Sequence, residues 1–280
     1  MQIITKISEM QSLAESLRKQ GRTIGFVPTM GFLHEGHLSL MRQARQQCDH
    51  VVVSIFVNPT QFGPGEDFER YPRDEEGDRE KCGSAGVDIL FMPDAREMYP
   101  TKPDVLVTVE GISDMLEGAI RPGHFRGVAT VVAKLFQLVK PHKAFFGQKD
   151  YQQCAVIKRM VKGLNMDVEI VMMPTVREQD GLAMSSRNSY LNADERRCAA
   201  VIYRALSSAE QMAKAGVREP EKLKNKTLAV LREEKSLVID YVEIADAEIL
   251  TPLSMINDKA VILIAVRVGR TRLIDNILIS

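Results

Sequence analysis

Over the first 175 residues the apolar positions switch repeatedly between short unbroken runs and a helical period. Met10, Leu13, Ala14 and Leu17 fall at i, i+3, i+4 and i+7 and predict a first helix, with Ser8 and Gln11 as a capping box at its start and Gly21 beyond its end. Strands are predicted at 23–27, 51–57, 88–92 and 144–146, with helices at 37–47, 74–85 and 127–139 between them. A further helix, with an apolar face through Val156, Ile157, Met160 and Val161, follows the last of these strands. Such alternation predicts a parallel sheet with helices on both faces. The run Val51-Val52-Val53-Ser54-Ile55-Phe56-Val57 agrees, because a strand covered on both sides needs no polar face. Ligands of open sheets settle beyond the carboxyl ends of the strands, so the segments after Val27, Val57 and Phe146 are candidate sites before any motif is considered.

Beyond Val176 the texture changes. Long polar helical stretches at 193–215 and 220–234 precede strand-like runs at 237–246 and 259–268. The predicted fold class is therefore α/β, with a parallel-sheet N-terminal domain over 1–175 and a smaller α+β C-terminal domain over 176–280. The dense mixed charge of Arg218-Glu219-Pro220-Glu221-Lys222 and Arg232-Glu233-Glu234-Lys235 reads as a solvated face.

Lysine plus arginine and aspartate plus glutamate balance at 37 each, so no net field gathers nucleic acid or an acidic membrane, and partners must be held by local sites. No apolar run approaches a membrane span, and the start, Met1-Gln2-Ile3-Ile4-Thr5-Lys6, has no signal-peptide architecture. Cys48, Cys82, Cys154 and Cys198 are scattered without a C-x-x-C pair, against both a disulfide framework and a structural metal. A reducing cytoplasm is expected, with Cys48 and Cys198 as buried, inert thiols in helical patterns.

Pro28-Thr29-Met30-Gly31-Phe32-Leu33-His34-Glu35-Gly36-His37 places two imidazoles at i and i+3 where a strand hands over to a helix. The first turn of that helix offers backbone N–H groups and the positive end of its dipole, a place to hold an anion. Gly31 and Gly36 would let a flat base or a phosphate approach the main chain. A zinc-protease reading is disfavoured, because that helix needs histidines at i and i+4.

The other strand ends also carry polar groups. Asn58 and Gln61, in Asn58-Pro59-Thr60-Gln61-Phe62, offer uncharged donors and acceptors that suit a hydroxyl or a carboxylate, although an Asn-Pro turn alone would also explain Asn58. Arg121-Pro122-Gly123-His124-Phe125-Arg126-Gly127 gathers three chargeable side chains at a helix start, an anion site or a structural loop. In Gly147-Gln148-Lys149-Asp150-Tyr151-Gln152-Gln153, Lys149 is a mobile point charge for phosphate; Asp150 can cap the helix, orient the lysine or meet the hydration shell of a magnesium ion. Met184-Ser185-Ser186-Arg187-Asn188, at the domain junction, could close over a polyphosphate or form a solvent loop. Neither common nucleotide fingerprint is present.

Taken together, PTMGFLHEGH, FVNPTQF, RPGHFRGV, GQKDYQQ and MSSRNSYL are similar in order and spacing to the pantothenate synthetase family, over essentially all 280 residues. Within this set, HEGH resembles the H-x-G-H signature of the nucleotidyltransferase superfamily, and MSSRN resembles its mobile phosphate loop. The resemblance implies an ATP-dependent ligase that joins pantoate to β-alanine through a pantoyl adenylate, releasing AMP and pyrophosphate. It also implies magnesium, a homodimer, a Rossmann-like N-terminal domain and a C-terminal lid.

By the same carry-over, Met30, Gly31, Phe32, Leu33, His34, Glu35, Gly36, His37, Gly147, Gln148, Lys149, Asp150, Val176, Met184, Ser185, Ser186 and Arg187 contact ATP. Gln61 and Gln153 hold pantoate, with Asn58, Arg121 and His124 as further substrate-binding candidates, and His37 is the proton donor. His34, His37, Lys149 and Arg187 would act on charge growing at the phosphates. Two other classes stay open: a transferase that stops at a nucleotidyl product, and an ATP sensor without turnover.

Overall fold

The computed structural model describes all residues, Met1–Ser280. In chain order its first elements are β1 (Gln2–Ile4), α1 (Ile7–Lys19), β2 (Ile24–Thr29), α2 (Glu35–Gln47), β3 (His50–Ile55), α3 (Glu75–Ser84) and β4 (Ile89–Phe91). They continue with the short α4 (Ala95–Met98) and α5 (Glu117–Ile120), then α6 (His124–Val139), β5 (Lys143–Gly147), α7 (Tyr151–Gly163) and β6 (Glu169–Met173). The strand order is β1-β4-β3-β2-β5-β6, and every pairing is parallel. With β1 added at one edge this is a doubly wound Rossmann sheet, in which the order reverses between β2 and β5.

Alternate residues of each strand serve opposite faces. Val27, Val51, Val53, Leu90 and Phe145 pack with Leu40, Met41 and Ala44 of α2 and Cys82 of α3. On the other face Phe26 and Phe146 meet Phe136 of α6 edge-on, with ring centroids at 6.3 and 6.5 Å. Helix α6 is apolar almost all round because it is buried almost all round.

The chain divides into two units, Met1–Gly147 with Gln152–Pro174, and Gln148–Tyr151 with Thr175–Ser280. The second holds α8 (Ala193–Ala199), α9 (Val201–Lys214), α10 (Pro220–Leu231) and an antiparallel sheet of β7 (Leu237–Asp246), β8 (Ala260–Val268) and β9 (Thr271–Ile279) in that order. Ile202, Leu206, Leu223 and Leu231 of its helices pack with Ile262, Ile264 and Val266 of β8.

Three expectations need correction. The first helix starts at Ile7 without a side-chain cap, so Ser8 and Gln11 form no capping box; the Ile7 N–H donates instead to Glu97 Oε1 at 2.9 Å. The stretch 193–215 is two helices meeting at Ala200. Strands β1, β6 and β9 have no counterpart among the predicted strands.

Candidate active site

Strand β2 ends in a loop that a buried carboxylate holds shut. Asp78 on α3, 1% exposed, accepts from the Phe32 and Leu33 N–H groups at 2.7 Å each. Burial pushes its carboxyl upward, and the Leu33 and Phe32 N–H groups only partly offset this. Gly31 sits at φ +84°, and a Cβ there would lie 2.9 Å from Asp78 Oδ2, so only glycine fits.

His34 is the N-cap of α2 and His37 its third residue. His34 Nδ1 accepts from the Gly36 N–H at 3.2 Å, and His37 Nδ1 accepts from the His34 N–H at 3.3 Å. The rings lie 4.1 Å apart between centroids. Two imidazoles thus form the capping box that a serine and a glutamate usually make. With Nδ1 as acceptor in both rings, the proton of each neutral imidazole stands on Nε2. The His34 and Gly36 N–H groups at the helix start are therefore engaged within the protein, as are those of Phe32 and Leu33 just before it.

Beyond β3 the turn at Asn58 is fixed by groups with only one possible role. The Thr60 N–H, a pure donor, faces Asn58 Oδ1 at 3.3 Å, and the Gly127 carbonyl, a pure acceptor, faces Asn58 Nδ2 at 3.2 Å. Asn58 Nδ2 then donates to Gln61 Oε1 at 3.1 Å, so Gln61 presents its NH2, which reaches Met30 Sδ at 3.2 Å. Tyr99 donates its hydroxyl to Asn58 Oδ1 at 3.0 Å. Gly127 permits this, since a Cβ there would lie 2.3 Å from the Thr60 carbonyl oxygen.

Arg121 and His124 support the same turn from the other side. Arg121 Nε and Nη2 donate to Glu66 at 2.7 Å each, and His124 lies between the Gln61 carbonyl, 2.8 Å from Nδ1, and Arg121 Nη1, 3.1 Å from Nε2. Burial alone would raise Glu66, but Arg121 outweighs it and holds the carboxyl below its ordinary value. Burial, then the adjacent guanidinium, bring His124 down to about 4, against the pull of the Gln61 carbonyl and of Glu66 and Glu117.

Because the unfolded imidazole protonates near 6.5, the unfolded state binds more protons between those values. The stability that this neutral histidine supplies is complete above pH 6.5 and lost as the pH falls toward 4. His124→Asn, which keeps a donor for the Gln61 carbonyl, is expected to flatten the rise of unfolding free energy over that interval by on the order of 1.4 kcal/mol per pH unit. Equal slopes in denaturant titrations of both proteins would remove this account of His124.

Gln153 lies half-buried on α7. Its neighbour Gln152, 3% exposed, ties down the 112–117 loop through the Ile112 and Met115 carbonyls at 2.8 Å and the Glu117 N–H at 3.0 Å. Gly147 closes β5, the strand next to β2.

The remaining predicted residues belong to the second unit. Lys149 Nζ stands 3.3 Å from Asp150 Oδ1, and the Tyr151 hydroxyl donates to the Ala247 carbonyl at 2.7 Å. Val176 and Met184 face each other across a narrow loop, the Met184 N–H donating to the Val176 carbonyl at 3.0 Å. Ser185 caps the 3-10 turn Ser186–Tyr190 through the Arg187 N–H, Ser186 is buried, and Asn188 anchors the turn to Glu178 Oε1 at 2.8 Å.

Sequence reasoning missed Asp78, Glu66, Tyr99 and Gln152. Asp78 sits in Asp74-Glu75-Glu76-Gly77-Asp78, which reads as a solvated acidic face. No group of three or more His, Cys, Asp or Glu side chains is placed to hold a metal ion. No helix is long and apolar enough to cross a membrane.

Residues 2–278 match the family model described as pantoate-beta-alanine ligase. The chain belongs to the pantoate–β-alanine ligase family. It is 54% identical over 280 residues to the pantothenate synthetase of Caldicellulosiruptor saccharolyticus, covering 100% of both chains. A crystal structure of pantothenate synthetase from Thermus thermophilus matches with a TM-score of 0.94 at 48% identity, covering 99% of each chain. A pantoate-beta-alanine ligase from Francisella tularensis, complexed with beta-gamma ATP and beta-alanine, matches with a TM-score of 0.82 at 38% identity, covering 99% of this chain and 97% of its own. Like the family, this chain is an enzyme of the acid–amino-acid ligase class, and its activity is the ATP-dependent condensation of pantoate with β-alanine. The transferase and sensor readings fall away.

Proposed function

We propose that the condensation runs in two steps on the residues described above. In the first, a pantoate carboxylate oxygen attacks the α-phosphorus of ATP; the bond to the bridging oxygen breaks and pyrophosphate leaves. The carboxylate is ionised at neutral pH, so no base is needed, and the enzyme's task is to position and neutralise. In the second, the neutral amine of β-alanine attacks the carbonyl carbon of the pantoyl adenylate, AMP leaves, and the nitrogen gives up a proton. The observation that carries this reading is the hydrogen-bonded set at the ends of β2 and β3: the Gln61 amide, fixed by Asn58 and reaching Met30 Sδ, and the paired imidazoles of His34 and His37 at the start of α2.

On this reading Met30 to His37, Gly147 to Asp150, Val176 and Met184 to Arg187 meet ATP. Gln61 and Gln153 hold pantoate, and Asn58, Arg121 and His124 shape the turn that presents Gln61. His34, His37, Lys149 and Arg187 stabilise charge on the bridging oxygen and the departing pyrophosphate. Magnesium would arrive on the phosphates and lend them positive charge. Asp150, whose side chain is 46% exposed, suits its hydration shell better than a dry cage would.

The uncharged Asn58 and Gln61 favour an acceptor without phosphate, as pantoate is. Supplied with ATP, magnesium, pantoate and β-alanine, the protein is expected to form AMP and pantothenate in equal amounts, and the Gln61→Ala variant to raise the pantoate KM about ten- to a hundredfold, the value of a hydrogen bond to a charged group. ADP as the nucleotide product, or an unchanged pantoate KM, would overturn the scheme or the assignment of Gln61 respectively.

We also propose a cytoplasmic homodimer, on the support of four buried free thiols and of the exposed apolar pair Val105 and Leu106. Light scattering at the mass of one chain would remove the dimer, and recovery outside the cytoplasm on cell fractionation would remove the compartment.

A further inference from the structure

Strand β9 carries two adjacent polar residues where an apolar strand would be expected. Asp275 and Asn276 are 2% and 1% exposed, and both are fully engaged with segments far away in sequence. The Gln148 and Lys149 carbonyls can only accept, so the atom facing them at 2.9 and 3.0 Å is Asn276 Nδ2; Oδ1 in turn accepts from Gln148 Nε2 at 3.2 Å. One amide thus grips both peptide units that flank Lys149.

Asp275 does the same for the other segment. Arg177 donates to its two oxygens at 2.5 and 3.0 Å, and also to the Gly181 carbonyl at 3.1 Å and the Asn276 carbonyl at 3.4 Å. The guanidinium lies over the Tyr203 ring, 4.2 Å from its centroid. Arg177 forms a bridge with Ala183, one residue before Met184. The turn that carries Lys149 and the loop that leads to Ser185–Arg187 are therefore bolted to consecutive residues of one strand, although more than 25 residues of chain separate them.

We propose that Asp275 and Asn276 form a positioning frame for the polyphosphate, with Asn276 setting the place of the Lys149 ammonium relative to the Ser185–Arg187 loop. This rests on the reading that Lys149 meets ATP. Neither residue touches the nucleotide in this scheme; each acts through the backbone or side chain that does. A buried amide with three engaged partners is suited to the task, because removing it frees two carbonyls and lets the turn shift, and a shift of about an ångström is enough to degrade catalysis.

The test is ATP affinity, measured by titration calorimetry without pantoate so that no turnover occurs, for the full chain and its Asn276→Ala, Lys149→Ala and double variants. Asn276→Ala is expected to weaken ATP about tenfold, the usual coupling within one hydrogen-bonded network, to leave pantoate affinity nearly unchanged, and to lower the melting temperature by a few degrees as two carbonyls lose their partner. In the Lys149→Ala background the same substitution should add little.

Full additivity of the two losses would overturn the proposal, as would weakening of ATP and pantoate alike. If Lys149→Ala alone leaves ATP affinity intact, it is the assignment of Lys149 that fails. Should Asn276→Ala not fold, Asn276→Ser keeps one donor for one carbonyl, and its ATP affinity should fall between those of the wild type and Lys149→Ala; a wild-type value would reject the frame.

Discussion

Lys149→Ala is expected to lower kcat for AMP release about a hundredfold or more, the loss typical when a preorganised transition-state group is removed. The ammonium sits on a side chain that is 20% exposed, on a turn whose two leading carbonyls are fixed by Asn276. Its neighbour Asp150 is about half exposed and pairs with it at 3.3 Å across water-accessible space, which leaves the lysine able to exchange a weak partner for a phosphate. Negative charge on pyrophosphate is greatest as the bond to the α-phosphorus breaks, so the attraction is larger in the transition state than in bound ATP, and kcat should suffer more than the ATP KM. Lys149→Arg tests the geometry separately: a longer, planar fork keeps the charge but not the point position, and partial recovery is expected. A quench measurement of adenylate formation in a single turnover reads the first step alone. A rate within a fewfold of wild type there would remove Lys149 from the chemistry.

Most of the larger unit is legible because its strands are buried on both faces and flanked by amphipathic helices. The runs at β2, β3, β4 and β5 and the helical faces of α2, α3 and α6 all match their predicted positions to within a few residues. What escapes does so for identifiable reasons. Strand β1 is three residues long, too short for any period to register. Strand β9 hides because Asp275 and Asn276 break its apolar run, and these are the two residues that organise the neighbouring loops. The first helix departs from expectation at its start because Glu97, distant in sequence, satisfies the Ile7 N–H, which makes a local serine cap unnecessary.

The candidate site's motifs are legible in the sequence; the hydrogen bonds that hold their residues are not. His34, His37, Asn58 and Gln61 stand at strand ends, as parallel topology demands. Their supports are not readable from the sequence. Asp78 lies within a charge run, Glu66 in a loop rich in glycine and proline, and Tyr99 beyond a four-residue helix; each becomes meaningful only when folding brings it to a backbone N–H, a guanidinium or an amide. Arg121 and His124 show the converse. A basic cluster beside glycines suggests an anion site, yet Glu66 and the Gln61 carbonyl occupy these groups, and the cluster acts on the turn that presents Gln61.

The second large effect is expected at His37, where two roles can be separated. Its Nδ1 caps the start of α2 by accepting from the His34 N–H, while its Nε2–H is the donor assigned to the phosphate. His37→Ala removes both, and should lower kcat on the order of a hundredfold as well as costing about 1 kcal/mol of stability through the lost cap. His37→Asn keeps an acceptor at the capping distance of a short side chain but has no group that reaches as far as Nε2. It should therefore melt near the wild-type temperature and still be as slow as the alanine variant. If Asn restores turnover along with stability, the histidine matters for building the helix start, and the donor at the bridging oxygen must be sought elsewhere. His34→Asn provides the internal comparison, because His34 accepts from the Gly36 N–H through the same ring atom, and a smaller kinetic loss there would single out His37 as the donor closer to the reacting phosphorus.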